Sequence, residues 1–485
     1  MSKLVDLVKK KLDSDWAESA KTLLSEFAAV RYGTKWDKKI QIRVNGEMND
    51  EAAPFAALIP AGQPKSGPYG GMSFVLFPSK EGPSLICLGI GTNGLSPDEQ
   101  ALSRPGHARK VLAISRWLNQ RASKEVCWAK ADPVRVDISM PKHTISELSH
   151  YESAIGKYGK VLYAVFLTEK TLDEALIQSA AHTLCDMFAE ERGLEPLKDS
   201  KPEKEAAHKA WMAKVIPSVS EKDVAGLLDL RRFVIIEGPP GTGKTRMATE
   251  IIKSVYQGRG TTIQFHPGTT YETFVGGLAP ISNGAQSLQF APRPGQLMNA
   301  VTEALKNPQN KYLLHIDEIN RADLAKVLGE AIFLLEPSEP HREVNVFYDF
   351  GAPNHNKFKL PQNLHILGTM NSADRSIAIL DVAVRRRFAF VPLWPSLDVL
   401  DGEKASETMK EAFLRLFTLF VEEAPNDAFA LMPGHAYFLD KGKNTGTLLN
   451  TGLKPLLNEY IQQGYVSGFA DEIRAYIEWI SSITE

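Results

Sequence analysis

Cysteine is scarce in this chain: 3 in 485 residues, at Cys87, Cys127 and Cys185. They are widely spaced and form no CxxC pair, which argues against a disulfide framework or a zinc site and suits a reducing compartment. An excess of either charge is also missing. The formal net charge is -2, so no global cationic field draws the chain to nucleic acid or membrane, and any such contact must come from a local patch. No apolar run is long enough to cross a bilayer and the N-terminus has no apolar signal core, so the expectation is a soluble, cytoplasmic protein with no membrane partner. Internal repeats and low-complexity tracts are absent. Nor are the acids arranged, in a sheet context, as the aspartate followed by an acid-x-lysine triplet that a metal-dependent nuclease fold would need; any cleavage must come from a partner.

What is present is a typical globular share of apolar residues over a length that suggests two or three domains. Residues 1–195 read as a mixed α/β unit. An amphipathic helix carrying Leu4, Leu7, Val8, Leu12, Trp16 and Phe27 opens it, and strand-like runs such as KIQIRV, MSFVLF, SLICLGI, VRVDI and KVLYAVFL follow. The segment TLDEALIQSAAHTLCDMFAEERG reads as a helix with a capping box at Thr171 and Glu174 and a closing Gly193. Residues 196–218, dense in Lys and Glu, read as a charged linker or solvated helix. Residues 219–394 alternate strands with helices, the pattern of a parallel sheet covered on both faces. Residues 395–485 turn mostly helical and read as a lid.

The motif GPPGTGKT, Gly238 to Thr245, follows an apolar strand and opens a helix, which is the context a phosphate-binding loop demands. Gly238, Gly241 and Gly243, with Pro239, Pro240 and Thr242, would let backbone N–H groups converge on phosphate oxygens. Lys244 would reach the terminal phosphates and the Thr245 hydroxyl would ligate Mg2+. About seventy residues on, YLLHIDEINR ends an apolar strand in two carboxylates. Asp317 would hold the Mg2+ through water, and Glu318 would act as general base on the attacking water; His315, inside that strand, reads as a packed side chain. The stretch NLHILGTMN would be a further strand, delivering Asn371 beside the γ-phosphate to orient water. Arg385, Arg386 and Arg387 follow on a short helix, where a guanidinium can reach across a subunit boundary to the transferring phosphoryl group. That use demands a ring or at least a dimer. A solvated or nucleic-acid-facing patch is the alternative for any one of the three.

GPPGTGKT, IDEINRADLAKVLGE, MNSADRS and VAVRRRF together resemble the AAA+ motor of the McrB family, the modified-cytosine-dependent restriction GTPases. QFHPGTTYETFVGG and GHAYF extend the likeness over roughly residues 220 to 440. The resemblance implies an AAA+ P-loop NTPase with a C-terminal helical lid, a homo-oligomeric ring, expected to be a hexamer, and GTP, or ATP, as substrate with Mg2+. It further implies DNA translocation for a McrC-like nuclease subunit in a restriction and defence system. By residue it places the sensor on Asn371 with Asp374 and Arg375 in support, and the trans-acting arginines on Arg386 and Arg387. APFAALIP, SGPYGGMSFVLFP and SLICLGIGTNG resemble, more loosely, the reader domain placed ahead of such motors, which binds DNA and extrudes a modified base. A MoxR-like chaperone that remodels protein clients would share the core motifs and stands as the alternative.

Two local features compete for attention in the N-terminal region. Between Arg104 and Lys142 the chain is basic, with Arg109, Lys110, Arg116, Arg121, Lys124 and Lys130 around Trp117 and Trp128; this is either a DNA-facing patch or an amphipathic helix with Trp117 inward. GIGTNG, Gly89 to Gly94, matches a dinucleotide glycine pattern, but no helix begins at once, so a glycine-rich turn is the better reading.

Overall fold

The computed structural model describes residues 2–49, 52–64, 67–91, 104–133, 135, 137–281, 289–339, 341–373, 382–441 and 444–483. The chain divides into two compact units, Met1–Pro217 with Val421–Pro425, and Ser218–Phe420 with Asn426–Glu485.

In the first unit the expected opening helix is two, α1 (Lys3–Lys9) and α2 (Trp16–Tyr32), because the backbone turns extended at Lys10. Six strands follow: β1 (Ile40–Asn45), β2 (Phe55–Pro60), β3 (Met72–Phe77), β4 (Leu85–Ile90), β5 (Cys127–Ala129) and β6 (Leu162–Phe166). They pair antiparallel in the order β1-β2-β3-β4-β6-β5. Side chains alternate across a strand, so Phe74 and Leu76 join one core with α1, α2, α3 (Pro105–Ala122) and α4 (Glu174–Glu190), while Val75 and Phe77 join another with Leu148, Tyr151 and Ala154. The VRVDI run contributes no strand among the described residues. The N-cap of α4 is Asp173, whose carboxylate accepts from Ala175 N and Leu176 N, in place of the expected Thr171 box. All three cysteines are buried and free.

Of the two readings of residues 196–218, charged linker or solvated helix, the structure has the helix. Helix α5 (Lys201–Val215) fills most of that stretch, and its Trp211, only 6% exposed, packs into the first unit's main core. Glu203 on α5 pairs with the buried Arg31 at 2.9 Å, and Arg31 in turn holds Asp186 of α4 at 2.6 Å. One tryptophan in a Lys/Glu-rich helix leaves little periodic signal.

The second unit begins with α6 (Glu221–Arg231), which starts on a Ser220/Asp223 capping box. Then come β7 (Phe233–Gly238), α7 (Lys244–Ser254), β8 (Gly260–Gln264), the hairpin β9 (Gly276–Ile281) and β10 (Gln289–Pro294), α8 (Gln296–Lys306) and β11 (Tyr312–Asp317). After them lie α9 (Leu324–Leu328), the two-residue strands β12 (Val344–Asn345) and β13 (Lys357–Phe358), β14 (Leu364–Asn371), α10 (Val382–Arg385) and β15 (Ala389–Pro392). The main sheet is parallel throughout, in the order β15-β7-β14-β11-β8. Val234, Ile236, Leu313 and Leu367 face Ala248 and Ile251 of α7. Phe233, Ile235, Leu314 and Ile316 face Leu297 and Val301 of α8. The expected parallel sheet with helices on both faces is therefore present.

Two local differences have clear causes. The helix expected from Ala322 to Leu335 breaks at Gly329, which takes φ +52, and continues as a 3-10 turn. The β9–β10 hairpin went unread because Pro280, Pro292 and Pro294 sit inside it, and proline demotes a run from strand on sequence grounds. Residues 395–485 are helical as expected, with α11 (Glu407–Glu423), α12 (Lys454–Gln462) and α13 (Ala470–Ser481) as the longest elements. Among the described residues no helix is long and apolar enough to cross a membrane.

Candidate active site

The C-terminal edge of the parallel sheet gathers four polar side chains on the face that carries α7. On β11, His315 and Asp317 share a face because they are two residues apart, and on β14 so do Thr369 and Asn371. Register sets the two strands side by side, with Ile316 opposite Gly368, and Asn371 opposite Gly238 of β7.

The loop from Gly238 to Thr245 wraps this edge. Gly241 and Gly243 take φ +79 and +81, conformations that side chains disfavour. Gly238 is tight for a different reason: a Cβ there would lie 2.2 Å from the Leu393 carbonyl oxygen. Thr242 Oγ1 donates to Pro239 O at 3.0 Å. Lys244 folds back onto its own loop, with Nζ donating to Gly238 O at 3.0 Å and Pro239 O at 2.8 Å. Burial lowers its pKa to about 8, against the opposing pull of the Glu318 and Asp317 charges. An anion in the loop would restore the full positive charge and draw the amine off those carbonyls.

Thr245, second residue of α7, donates from Oγ1 to Asp317 Oδ1 at 3.0 Å. Thr369 Oγ1 donates to the same oxygen at 2.5 Å. A hydroxyl and a carboxylate at this spacing form a hard-oxygen pair of the kind Mg2+ takes alongside water and phosphate oxygens, so the residues present fit that ion. No group of three or more His, Cys, Asp or Glu among the described residues is arranged to hold a metal. His315 is fully buried, its pKa lowered to about 4 by burial, and it contacts Thr262 at 3.2 Å and Thr369 at 3.3 Å.

Glu318 occupies the left-handed region, φ +53 and ψ +45, an unusual conformation for a residue with a side chain. Its Oε2 is buried without a hydrogen-bond donor, although Arg321 Nε lies 3.2 Å away outside bonding alignment. The unusual backbone marks a side chain held for something other than stability, and Arg321 balances its charge. Asn371 accepts at Oδ1 from Ala373 N at 3.4 Å, and its carbonyl receives Asn320 Nδ2 at 3.5 Å. The expected supporting residues Asp374 and Arg375, and most of the helix expected from Ser376 to Val384, lie outside the described residues.

The arginines lie elsewhere. Ala389, at the start of β15, pairs with Val234 at the start of β7, so Arg385 to Arg387 sit at the N-terminal edge of the sheet. The strand from Val234 to Gly238 separates that edge from the loop by roughly 13 Å at about 3.3 Å per residue. Arg386 is exposed. Arg385 lies over the Phe390 ring at 5.2 Å. Arg387 is only 7% exposed, with Nη1 on Ala383 O at 2.5 Å and Nε without a partner.

The GHAYF segment had no assigned role in the sequence. Gly434 N donates to Pro240 O at 2.9 Å and Ala436 N to Gly241 O at 3.0 Å, so the lid is bonded to the phosphate loop through main chain. A Cβ on Gly434 would fall 2.1 Å from the Gly241 carbonyl carbon. His435 Nδ1 accepts from Ser396 N at 3.2 Å.

In the first unit, Trp117 is only 7% exposed and packs inward, while Arg116, Arg121 and Lys124 stand in solvent. This is the amphipathic-helix reading of the basic stretch. Lys130 is 1% exposed, with Nζ on the Arg135 and Lys160 carbonyls. A cavity of about 430 Å³ lies instead among Phe55, Tyr69, Phe77, Tyr158, Arg43 and Lys157. APFAALIP, SGPYGGMSFVLFP and SLICLGIGTNG all contribute to its wall. Phe77 and Tyr158 stack at 5.4 Å, and Arg43 lies over Tyr69 at 5.6 Å. Gly91 is required by backbone contact: a Cβ would lie 2.1 Å from Tyr69 O. Thr92 to Gly94 of the GIGTNG string lie outside the described residues.

Residues 233–388 match the family described as AAA domain, dynein-related subfamily. The chain is 32% identical over 267 residues to the type IV methyl-directed restriction enzyme EcoKMcrB subunit of Escherichia coli K12, covering 50% of this chain and 57% of that protein. It is 31% identical over 198 residues to the type II restriction enzyme BsuMI component YdiS of Bacillus subtilis 168, covering 34% of this chain and 57% of that one. The chain thus spans a little over half the length of each relative. A parallel sheet in the order given, a phosphate loop at its C-terminal edge and the family match lead to one conclusion: residues 233–388 form an AAA+ P-loop domain, in a chain that is similar to the McrB restriction subunit over half its length.

Proposed function

We propose that this chain is the nucleotide-driven motor of a restriction system, a P-loop NTPase that hydrolyses GTP, or ATP, as a homo-oligomeric ring and acts on DNA for a McrC-like nuclease. The observation that carries the reading is the division of the catalytic parts between two edges of one sheet. Lys244, Thr245, Asp317, Glu318 and Asn371 meet at the C-terminal edge, whereas Arg386 and Arg387 sit at the other. A guanidinium so placed serves a neighbour's site better than its own, which favours a closed ring, a hexamer by resemblance.

Within one site, Lys244 binds the terminal phosphates, Thr245 and Asp317 hold Mg2+, Glu318 takes the proton of the attacking water and Asn371 orients that water. Mg2+ held by Thr245 and Asp317 would supply charge neutralisation to the phosphates. Arg386 is available to a neighbour as it stands; Arg387 would first leave the Ala383 carbonyl. The choice of GTP rests on the family likeness, because the loop contacts only phosphates. Both relatives are restriction proteins by name, and the protein-remodelling alternative is not carried forward.

Turnover of GTP and ATP by the full chain with Mg2+, with and without duplex DNA and a nuclease partner, tests the motor. Hydrolysis that rises steeply with protein concentration is expected. No hydrolysis under any combination, or full-rate hydrolysis by a monomer, would sink it.

For the first unit we infer that the aromatic cavity receives a base extruded from DNA. Four rings and two cations at one opening suit a flat group flanked by phosphates. Tyr158→Ala in the full chain should weaken binding of modified duplex about tenfold, since stacking on one ring is worth about 1–3 kcal/mol per base. Unchanged affinity in a fluorescence-anisotropy titration would refute the assignment.

A further inference from the structure

Asp317 is held by more than the phosphate-loop helix. Its Oδ1 accepts two hydroxyl hydrogen bonds, from Thr245 at 3.0 Å and from Thr369 at 2.5 Å. Thr369 has one proton, and it is committed to the carboxylate. The contact between Thr369 Oγ1 and His315 Nε2 at 3.3 Å therefore has the imidazole N–H as donor. That fixes the tautomer: Nδ1 carries no proton in the neutral ring and accepts from Thr262 Oγ1 at 3.2 Å. A chain of donors runs in one direction across three neighbouring strands, from Thr262 on β8 through His315 on β11 to Thr369 on β14 and back to Asp317 on β11. His315 and Thr369 are 0% and 1% exposed, so water does not compete for the bond between them, whereas Thr262, where the donor chain starts, is exposed.

Resting on the reading of Asp317 as a metal-site carboxylate, we propose that Thr369, backed by His315, is the positioning residue that fixes this carboxylate before Mg2+ arrives. Thr245 is itself a candidate ligand of the ion, so its hydroxyl has two calls upon it. Thr369 has one. It is the anchor that does not depend on the ion. Carboxylates and imidazoles around metal sites are oriented in this way by outer hydrogen bonds, and losing such a partner typically costs 10–100-fold in metal affinity. Thr369 and His315 are both buried, and their link to the site runs through Asp317 Oδ1.

The test compares Thr369→Val, which keeps the branched shape and removes the hydroxyl, with Thr369→Ser, which keeps the hydroxyl. A fluorescent guanine or adenine nucleotide is titrated onto the full chain in EDTA and across a Mg2+ series, alongside turnover over the same series. Thr369→Val should leave affinity in EDTA unchanged and raise the Mg2+ needed for half-maximal binding and turnover about tenfold. Thr369→Ser should stay within about threefold of the native chain, and His315→Leu should shift in the same direction as Thr369→Val by a smaller factor. Native Mg2+ dependence in Thr369→Val overturns the proposal, and so does an equal defect in Thr369→Ser, which would mean packing rather than positioning. Asp317→Asn separates the two levels. If it leaves the Mg2+ requirement untouched, the metal-site reading itself fails; if it raises the requirement while Thr369→Val does not, only the positioning role fails.

Discussion

Glu318→Gln should lower nucleotide turnover by about 100-fold or more, the usual contribution of a positioned general base, while nucleotide affinity stays within a few-fold of the native value. Gln matches Glu in shape but cannot take a proton from water. The site is built to make that difference matter. The backbone at Glu318 takes φ +53, and Oε2 is ion-paired with Arg321 at 3.2 Å without an aligned hydrogen bond. Stability alone would favour a residue without the cost of that backbone. The carboxylate also helps keep Lys244 charged against the burial that lowers its pKa to about 8, so a modest loss of affinity at alkaline pH accompanies the substitution. Single-turnover hydrolysis and equilibrium binding of a fluorescent nucleotide measure the two effects separately. Turnover within threefold of native would place the base elsewhere.

Arg386→Ala should cost about a thousandfold in turnover without dissolving the oligomer, the scale set by arginines supplied in trans. The prediction follows from placement: β15 begins opposite Val234, at the edge of the sheet away from the phosphate loop, and Arg386 projects into solvent there. Mixing supplies the decisive control. A chain with Arg386→Ala retains an intact loop, and a chain with Lys244→Ala retains intact arginines. Each is inactive alone, yet mixed assemblies should recover measurable hydrolysis because some sites take the loop from one and the guanidinium from the other. Light scattering confirms the assembly, and a phosphate-release assay reads the recovery. Absence of recovery at every ratio, with assemblies intact, would refute sharing between subunits.

The residues with the strongest sequence signals were those whose position follows from one local segment. Lys244 and Thr245 open a helix after a glycine loop, Asp317 and Glu318 end an apolar strand, and Asn371 ends another; the fold gathers all five at one sheet edge. Their partners were illegible because the information is spread over strands far apart in sequence. Thr369 matters only once β14 lies beside β11, and nothing within GTMN marks it beyond sharing a face with Asn371. The aromatic cavity draws its wall from several segments between Arg43 and Leu162, while the tryptophans nearest the basic run were more conspicuous, and Trp117 proved to be core. Arg386 and Arg387 are identical in sequence terms, and only burial separates them: Arg387 is held by Ala383. Helix α5 hid behind its charge, and its role in the first unit depends on Trp211 and Glu203 finding partners across the chain.

Where GHAYF meets the phosphate loop, amide hydrogens of Gly434 and Ala436 are stitched to the carbonyls of Pro240 and Gly241. Main-chain bonds of this kind leave no side chain to swing aside, and the missing methyl at Gly434 lets the two backbones ride in direct contact. A small displacement of the loop would therefore carry the backbone of Gly434 and Ala436 with it. In a closed assembly each bundle would then act as a lever whose angle reports whether its own chamber is loaded.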